Sequence, residues 1–90
     1  MNLRWPAKRP AEILDYSVDW SGRLKGETIR LSVFDVPPGL MKLSEAAEKR
    51  TTRLWLSGGT DGACYTILNR IRTNRGRSLE QSIDLPVVDD

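Results

Sequence analysis

The stretch SGGTDGACYTILNRIRTNRGR, residues 57–77, joins a glycine pair, an alternating apolar run and the arginines Arg70, Arg72, Arg75 and Arg77. Read as a phosphate loop, it makes the protein a binder of nucleotides or nucleic acid. Read as turn, strand and hairpin, it makes a small β scaffold. A phosphate loop needs a helix directly after its glycines, so that free N–H groups and the helix dipole face the anion, with a lysine and a hydroxyl at fixed spacing. No lysine follows Gly58 and Gly59, Asp61 would repel a phosphate, and ACYTILNRIRT alternates at period two with several β-branched residues. The glycines therefore serve a reversal between two strands, where positive φ is required.

Working outward, Tyr65, Ile67, Asn69 and Ile71 share one strand face, and Thr66, Leu68, Arg70 and Arg72 share the other. Asn74, Arg75 and Gly76 form a tight turn. The returning strand puts Leu79, Gln81, Ile83, Leu85 and Val87 on one side. Upstream, Thr52, Leu54 and Leu56 alternate with Arg53 and Trp55. Leu14, Tyr16, Val18 and Trp20 alternate with Asp15, Ser17 and Asp19. Ile29, Leu31 and Val33 alternate with Arg30 and Ser32, which predicts that these three aliphatics face the core. Leu40, Met41 and Leu43 are expected in a short strand that leads to an exposed excursion.

Short strands divided by Gly and Pro turns predict an all-β fold: a small immunoglobulin-like antiparallel β-sandwich. Its domain spans residues 12–88, preceded by an extended N-terminal arm over 1–11 that Pro6 and Pro10 hold open. Tyr65 stands where a tyrosine corner is expected, its phenol bonded back to the preceding loop. Tyr16, Trp20, Trp55, Gly58, Gly59, Tyr65, Asn69 and Gly76 are the expected structural residues, with Trp20 and Trp55 filling or capping the core.

Ninety residues make one domain with a small core, since a chain this short buries only about 60–65% of its unfolded surface. The chain has no histidine and one cysteine, Cys64, which removes Ser/His/Asp and Cys/His chemistry, the usual zinc sites and any internal disulfide. Asp15 and Asp19 lie about 13 Å apart along a strand, too far to share a proton. No catalytic residue, cofactor or metal is expected. No run approaches the roughly 18 apolar residues of a membrane span, so no membrane partner is expected either.

Net charge is only +2, but Arg4, Lys8 and Arg9 crowd the start, while Asp89 and Asp90 close the chain. Arg70, Arg72, Arg75 and Arg77 form a positive ridge, partly neutralised by Glu80 and Asp84 across the hairpin. That ridge is either a solvated face, a docking edge for an acidic protein surface, or a nucleic-acid site. The last is disfavoured because no aromatic interleaves the arginines as a stacking platform. Trp5, between Arg4 and Pro6, is the expected anchor in another subunit's pocket. The interface candidates are Trp5, Lys8, Arg9, Arg70, Arg72, Arg75 and Arg77.

The segments PAKRPAEILDYSVDW, GETI and WLSGGTDGACYTILNRIRTNRGRSLEQS resemble a family of small proteins encoded among the virion genes of tailed bacteriophages and prophages, the fiber-tail adaptor proteins. The resemblance covers most of the chain and is most specific in its last third. Arg9 stands where the family pattern has an acid, Glu27 replaces Asp, and residues 41–51 are more charged than the pattern. The resemblance implies an immunoglobulin-like β module, synthesis in the host bacterial cytoplasm, and a place in the virion. It further implies a non-enzymatic adaptor near the head–tail connection, tail or fibre attachment, in symmetric homo-oligomeric contact with other phage structural proteins. A nucleic-acid-binding or regulatory module built on the arginine ridge is the alternative.

Overall fold

The computed structural model describes residues 2–89; Met1 of the expected arm and Asp90 of the acidic terminus lie outside the described residues. The elements are β1 (Leu3–Arg4), β2 (Leu14–Asp19), the one-turn helix α1 (Ser21–Leu24), β3 (Ile29–Asp35), β4 (Leu40–Ala47), β5 (Thr51–Gly58), β6 (Cys64–Thr73) and β7 (Ser78–Pro86). They form a four-stranded sheet, β1-β7-β6-β3, and a three-stranded sheet, β2-β5-β4, packed as a sandwich. Strands two, four and five oppose strands three, six and seven, which is the immunoglobulin-like grouping. One pair departs from the expected antiparallel pattern. β1 runs parallel to β7, with Leu3 opposite Ile83 and Arg4 opposite Asp84.

Alternation builds the core. Tyr16 and Val18 from β2, Leu54 and Leu56 from β5, Ile67 and Ile71 from β6, and Ile83 and Leu85 from β7 all point between the sheets. The expected β6–β7 hairpin is present, with Ile67 opposite Ile83 and Arg70 opposite Glu80. The polar residues Thr52 and Asn69 are also fully buried, and they hydrogen-bond to each other and to Trp20. Buried polar groups hold their place only when paired in this way.

The ends of the sandwich are tied by the glycine turns. Thr60 N–H donates to the Tyr65 phenol oxygen at 3.0 Å, so the expected tyrosine corner is present. Gly39 has φ +102°, and a Cβ there would stand 2.8 Å from the same phenol oxygen. At Gly59, φ +103°, a Cβ would meet Val87 Cγ2 at 2.8 Å. Each glycine is thus required by both backbone conformation and space.

Four expectations are corrected. The N-terminal segment is extended, but its own chain uses it. Trp5 is only 7% exposed and stacks on Tyr16 with ring centroids 4.6 Å apart, and Lys8 bridges in parallel to Val87. Large apolar surface binds to the nearest complementary surface, and here that is the open side of the molecule's own sandwich.

Second, Leu31 and Val33 face outward, 55% and 49% exposed, while Phe34 is buried. A bulge at Arg30, between the pairs Ile29↔Thr73 and Leu31↔Arg72, inserts one residue and so switches the face of everything after it. Third, Trp55 does not fill the core. It lies on the outer face of β5 and is 39% exposed, opposite Asp15 and Ser44, because the inward phase of β5 belongs to Thr52, Leu54 and Leu56. Fourth, β4 remains a strand through Ala47, where an excursion was expected.

Side chains cover two of the sheet edges. Lys42 and Glu45 of β4 form an ion pair over the open edge of β3. There the ammonium donates to the Phe34 carbonyl at 3.1 Å, and the carboxylate accepts from the Phe34 N–H at 3.1 Å. On the opposite side Trp5 Nε1 donates to the Ser17 carbonyl of β2 at 3.2 Å. Side chains thus occupy the backbone groups that could otherwise pair with another chain.

Candidate functional site

Each expected interface residue has a definite place. Lys8 is fully buried, and its ammonium donates to the carbonyls of Gly58 (2.6 Å), Arg9 (2.8 Å) and Pro10 (3.4 Å). Desolvation holds its pKa below the usual lysine value, with Glu12 opposing that shift. Lys8 is therefore a clasp between the N-terminal segment and the Gly58 turn, and it cannot meet a partner from there. Arg9 is exposed beside it, with its own backbone N–H held by Glu12 at 2.7 Å.

The expected ridge of four arginines is divided. Arg77 bonds Glu27 at 2.9 Å and donates to the carbonyls of Arg23 (3.2 Å) and Leu24 (3.4 Å), which fastens the hairpin to α1. Glu27 also accepts the Thr73 hydroxyl at 2.6 Å. That hydrogen bond first, and Arg77 after it, hold the Glu27 carboxyl below its ordinary range. Arg70 lies between two acids, Glu80 at 3.0 Å and Asp35 at 3.1 Å. Asp84 takes no part and instead accepts from Thr66 and Asn2. Among the described residues, Arg72 and Arg75 form no ion pair. Arg75 sits at the hairpin tip and Arg72 on the flat of the sheet.

The flat of that sheet carries the site. Arg72 stands opposite Leu31 on one side and Ser78 on the other; Arg70 stands opposite Val33 and Glu80. Together they line a groove of about 580 Å³ on the outer face of β3, β6 and β7. Its floor is aliphatic and its charged groups come from β6 and β7. Sequence pattern locates the arginines but misses the aliphatics, because nothing in Ile29 to Val33 marks Arg30 as the extra residue. Phe34, a large aromatic out of phase with Leu31 and Val33, is the signal that could have shown it.

The expected structural residues fall into two groups. Tyr16, Trp20 and Asn69 are buried, Tyr65 is half-buried, and Gly58, Gly59 and Gly76 occupy turns with φ of +82°, +103° and +84°. Trp55 is the exception. It projects from the three-stranded sheet, on the opposite side of the molecule from the groove, with Met41 (61% exposed) on the same outer face. The Arg53 side chain lies 3.8 Å from Asp15 beside it. Exposed tryptophan and methionine with a charged rim are the composition of a protein contact.

No curated protein sequence matches the chain. Residues 8–86 match the family described as podophage GP4 fiber-tail adaptor protein gp77. The match runs from the buried Lys8 to the end of β7 and takes in both outer faces. The chain therefore belongs to the podophage fiber-tail adaptor family, structural proteins of the phage particle.

Proposed function

We propose that this chain is a non-enzymatic joining module that sits near the head–tail connection, tail or fibre attachment and holds two neighbours on opposite faces. One observation carries the reading: the two sheets present outer faces back to back, and each displays exposed apolar side chains beside charges. The four-stranded sheet offers Leu31, Val33 and Arg72; the three-stranded sheet offers Trp55 and Met41. An adaptor needs two separate surfaces, and a sandwich supplies them at a fixed separation of about 10 Å between sheets.

Copies of the chain are arranged symmetrically in the particle, since a module this small gains surface and stability from repeated contacts. The Trp55 face is the side for contact between copies. Acidic groups already hold Arg70 and Arg77, which leaves little of the ridge for a nucleic-acid backbone.

Peptide mass spectrometry of purified mature particles tests the role. The chain is expected among the particle proteins in stoichiometric amount. Its absence from mature particles would remove the structural role altogether.

A further inference from the structure

We infer that the groove on β3, β6 and β7 receives an aliphatic segment of another phage structural protein that carries a carboxylate, and that Arg72 is the residue that pairs with it. This deepens the adaptor reading and rests on it.

Three features of the groove point to that occupant. Its aliphatic floor is a product of the bulge at Arg30, without which the alternation would send Leu31 and Val33 to the core. Bulges recur where a strand must re-aim side chains, and here the two re-aimed residues are 55% and 49% exposed. Apolar side chains brought to the surface together mark a binding surface better than scattered ones do.

Charge then selects among apolar partners. Arg70, the next arginine on the same face, is already held by Glu80 and Asp35. Arg72 lies between Leu31 and Ser78, and neither can neutralise it. A guanidinium that has no ion-pair partner among the described residues, beside an apolar floor, fits a carboxylate bidentately, with a geometry that lysine cannot reproduce. A partner bearing a lysine or arginine at that point would be repelled, so the groove discriminates by sign as well as by shape.

The test uses phage in which the chain's gene carries one change at a time, with the amount of the chain per purified particle as the readout. Arg72→Gln is expected to lower incorporation by about tenfold or more, and Arg72→Lys to recover only part of it. Leu31→Ser with Val33→Ser is expected to lower it similarly, and Arg75→Gln, at the hairpin tip, to leave it unchanged. Thermal melting of each purified variant shows whether it folds, and all four changes lie on exposed positions. If wild-type chain is absent from particles, the adaptor reading itself fails. If it is present and Arg72→Gln incorporates normally, this inference alone is overturned.

Two further results would overturn it. One is self-association of the wild-type chain in sedimentation that Arg72→Gln abolishes, which would make the occupant a second copy. The other is salt-sensitive DNA binding in gel shift that depends on Arg72, which would make it a nucleic acid.

Discussion

Trp20 and Asn69 join the two sheets through a buried hydrogen bond, the indole N–H donating to Asn69 Oδ1 at 3.0 Å. Trp20 follows β2 and Asn69 lies in β6, so the bond crosses between the two halves of the sandwich. Thr52 Oγ1 donates to the same oxygen at 2.6 Å, and the Asn69 amide donates to Ser32 Oγ at 3.0 Å and to the Val33 carbonyl at 3.1 Å. One side chain thus fixes how the bulged strand β3 lies against the core. The groove on its far side depends on that placement.

Asn69→Ala takes the acceptor from the Thr52 hydroxyl, one of two acceptors from the Trp20 N–H and a donor from the Val33 carbonyl, and it opens a small cavity. Each unpaired buried group costs about 1–3 kcal/mol. We expect a loss of at least about 2 kcal/mol, a fall in Tm of roughly 10 °C or more for a domain of this size. Asn69→Asp should be no better, because it replaces the donating amide with an acceptor. Calorimetry of the two variants checks both.

The glycines separate by space as well as by φ. Gly39→Ala would place a Cβ 2.8 Å from the Tyr65 phenol oxygen, whereas Gly76→Ala meets nothing within 4 Å. Both positions have positive φ, so both variants carry the backbone penalty of about 1–2 kcal/mol. Only Gly39→Ala adds a clash, and it should be the less stable of the two. Gly22→Ala, in α1 with open space and no positive φ, should instead stabilise by about 0.4–1 kcal/mol. Denaturant titration orders the three.

Acid should loosen the hairpin end of the molecule. Glu27 and Asp19 both titrate below their usual ranges, Glu27 chiefly through the Thr73 hydroxyl and Asp19 chiefly through the Ser21 N–H. A carboxyl with a lowered folded pKa is bound to fewer protons when folded than when unfolded. Its contribution is complete above the ordinary value, 4.5 for Glu27, and is lost as pH falls through the folded value. The wild-type Tm should therefore drop on acidification below about pH 4.5. Glu27→Gln should lower Tm at neutral pH and flatten that drop, leaving the Asp19 share in place.

Strand positions and their inward faces were legible wherever one face of a strand is buried and the other wet, and pairing was legible for the β6–β7 hairpin alone. β2, β5, β6 and β7 follow their period-two patterns from end to end, and the turns at Gly58-Gly59 and Asn74-Arg75-Gly76 follow from glycine chemistry. Two kinds of information were not legible. A bulge adds one residue without any marker at Arg30, and from there the pattern favours the wrong face of β3. Tertiary capture also leaves no local trace. Trp5 and Lys8 look like an exposed hook, and only the nearby slot between Tyr16 and the Gly58 turn turns them inward. The candidate site was half visible for the same reasons, its arginines from sequence and its aliphatic floor from the fold.

The most direct measurement is a density map of the intact particle at side-chain resolution. We predict that the map shows Leu31, Val33 and Arg72 covered by a neighbouring structural protein, with a carboxylate of that neighbour against the Arg72 guanidinium. A map in which the chain is present and this face of β3, β6 and β7 stands open to solvent would contradict the account.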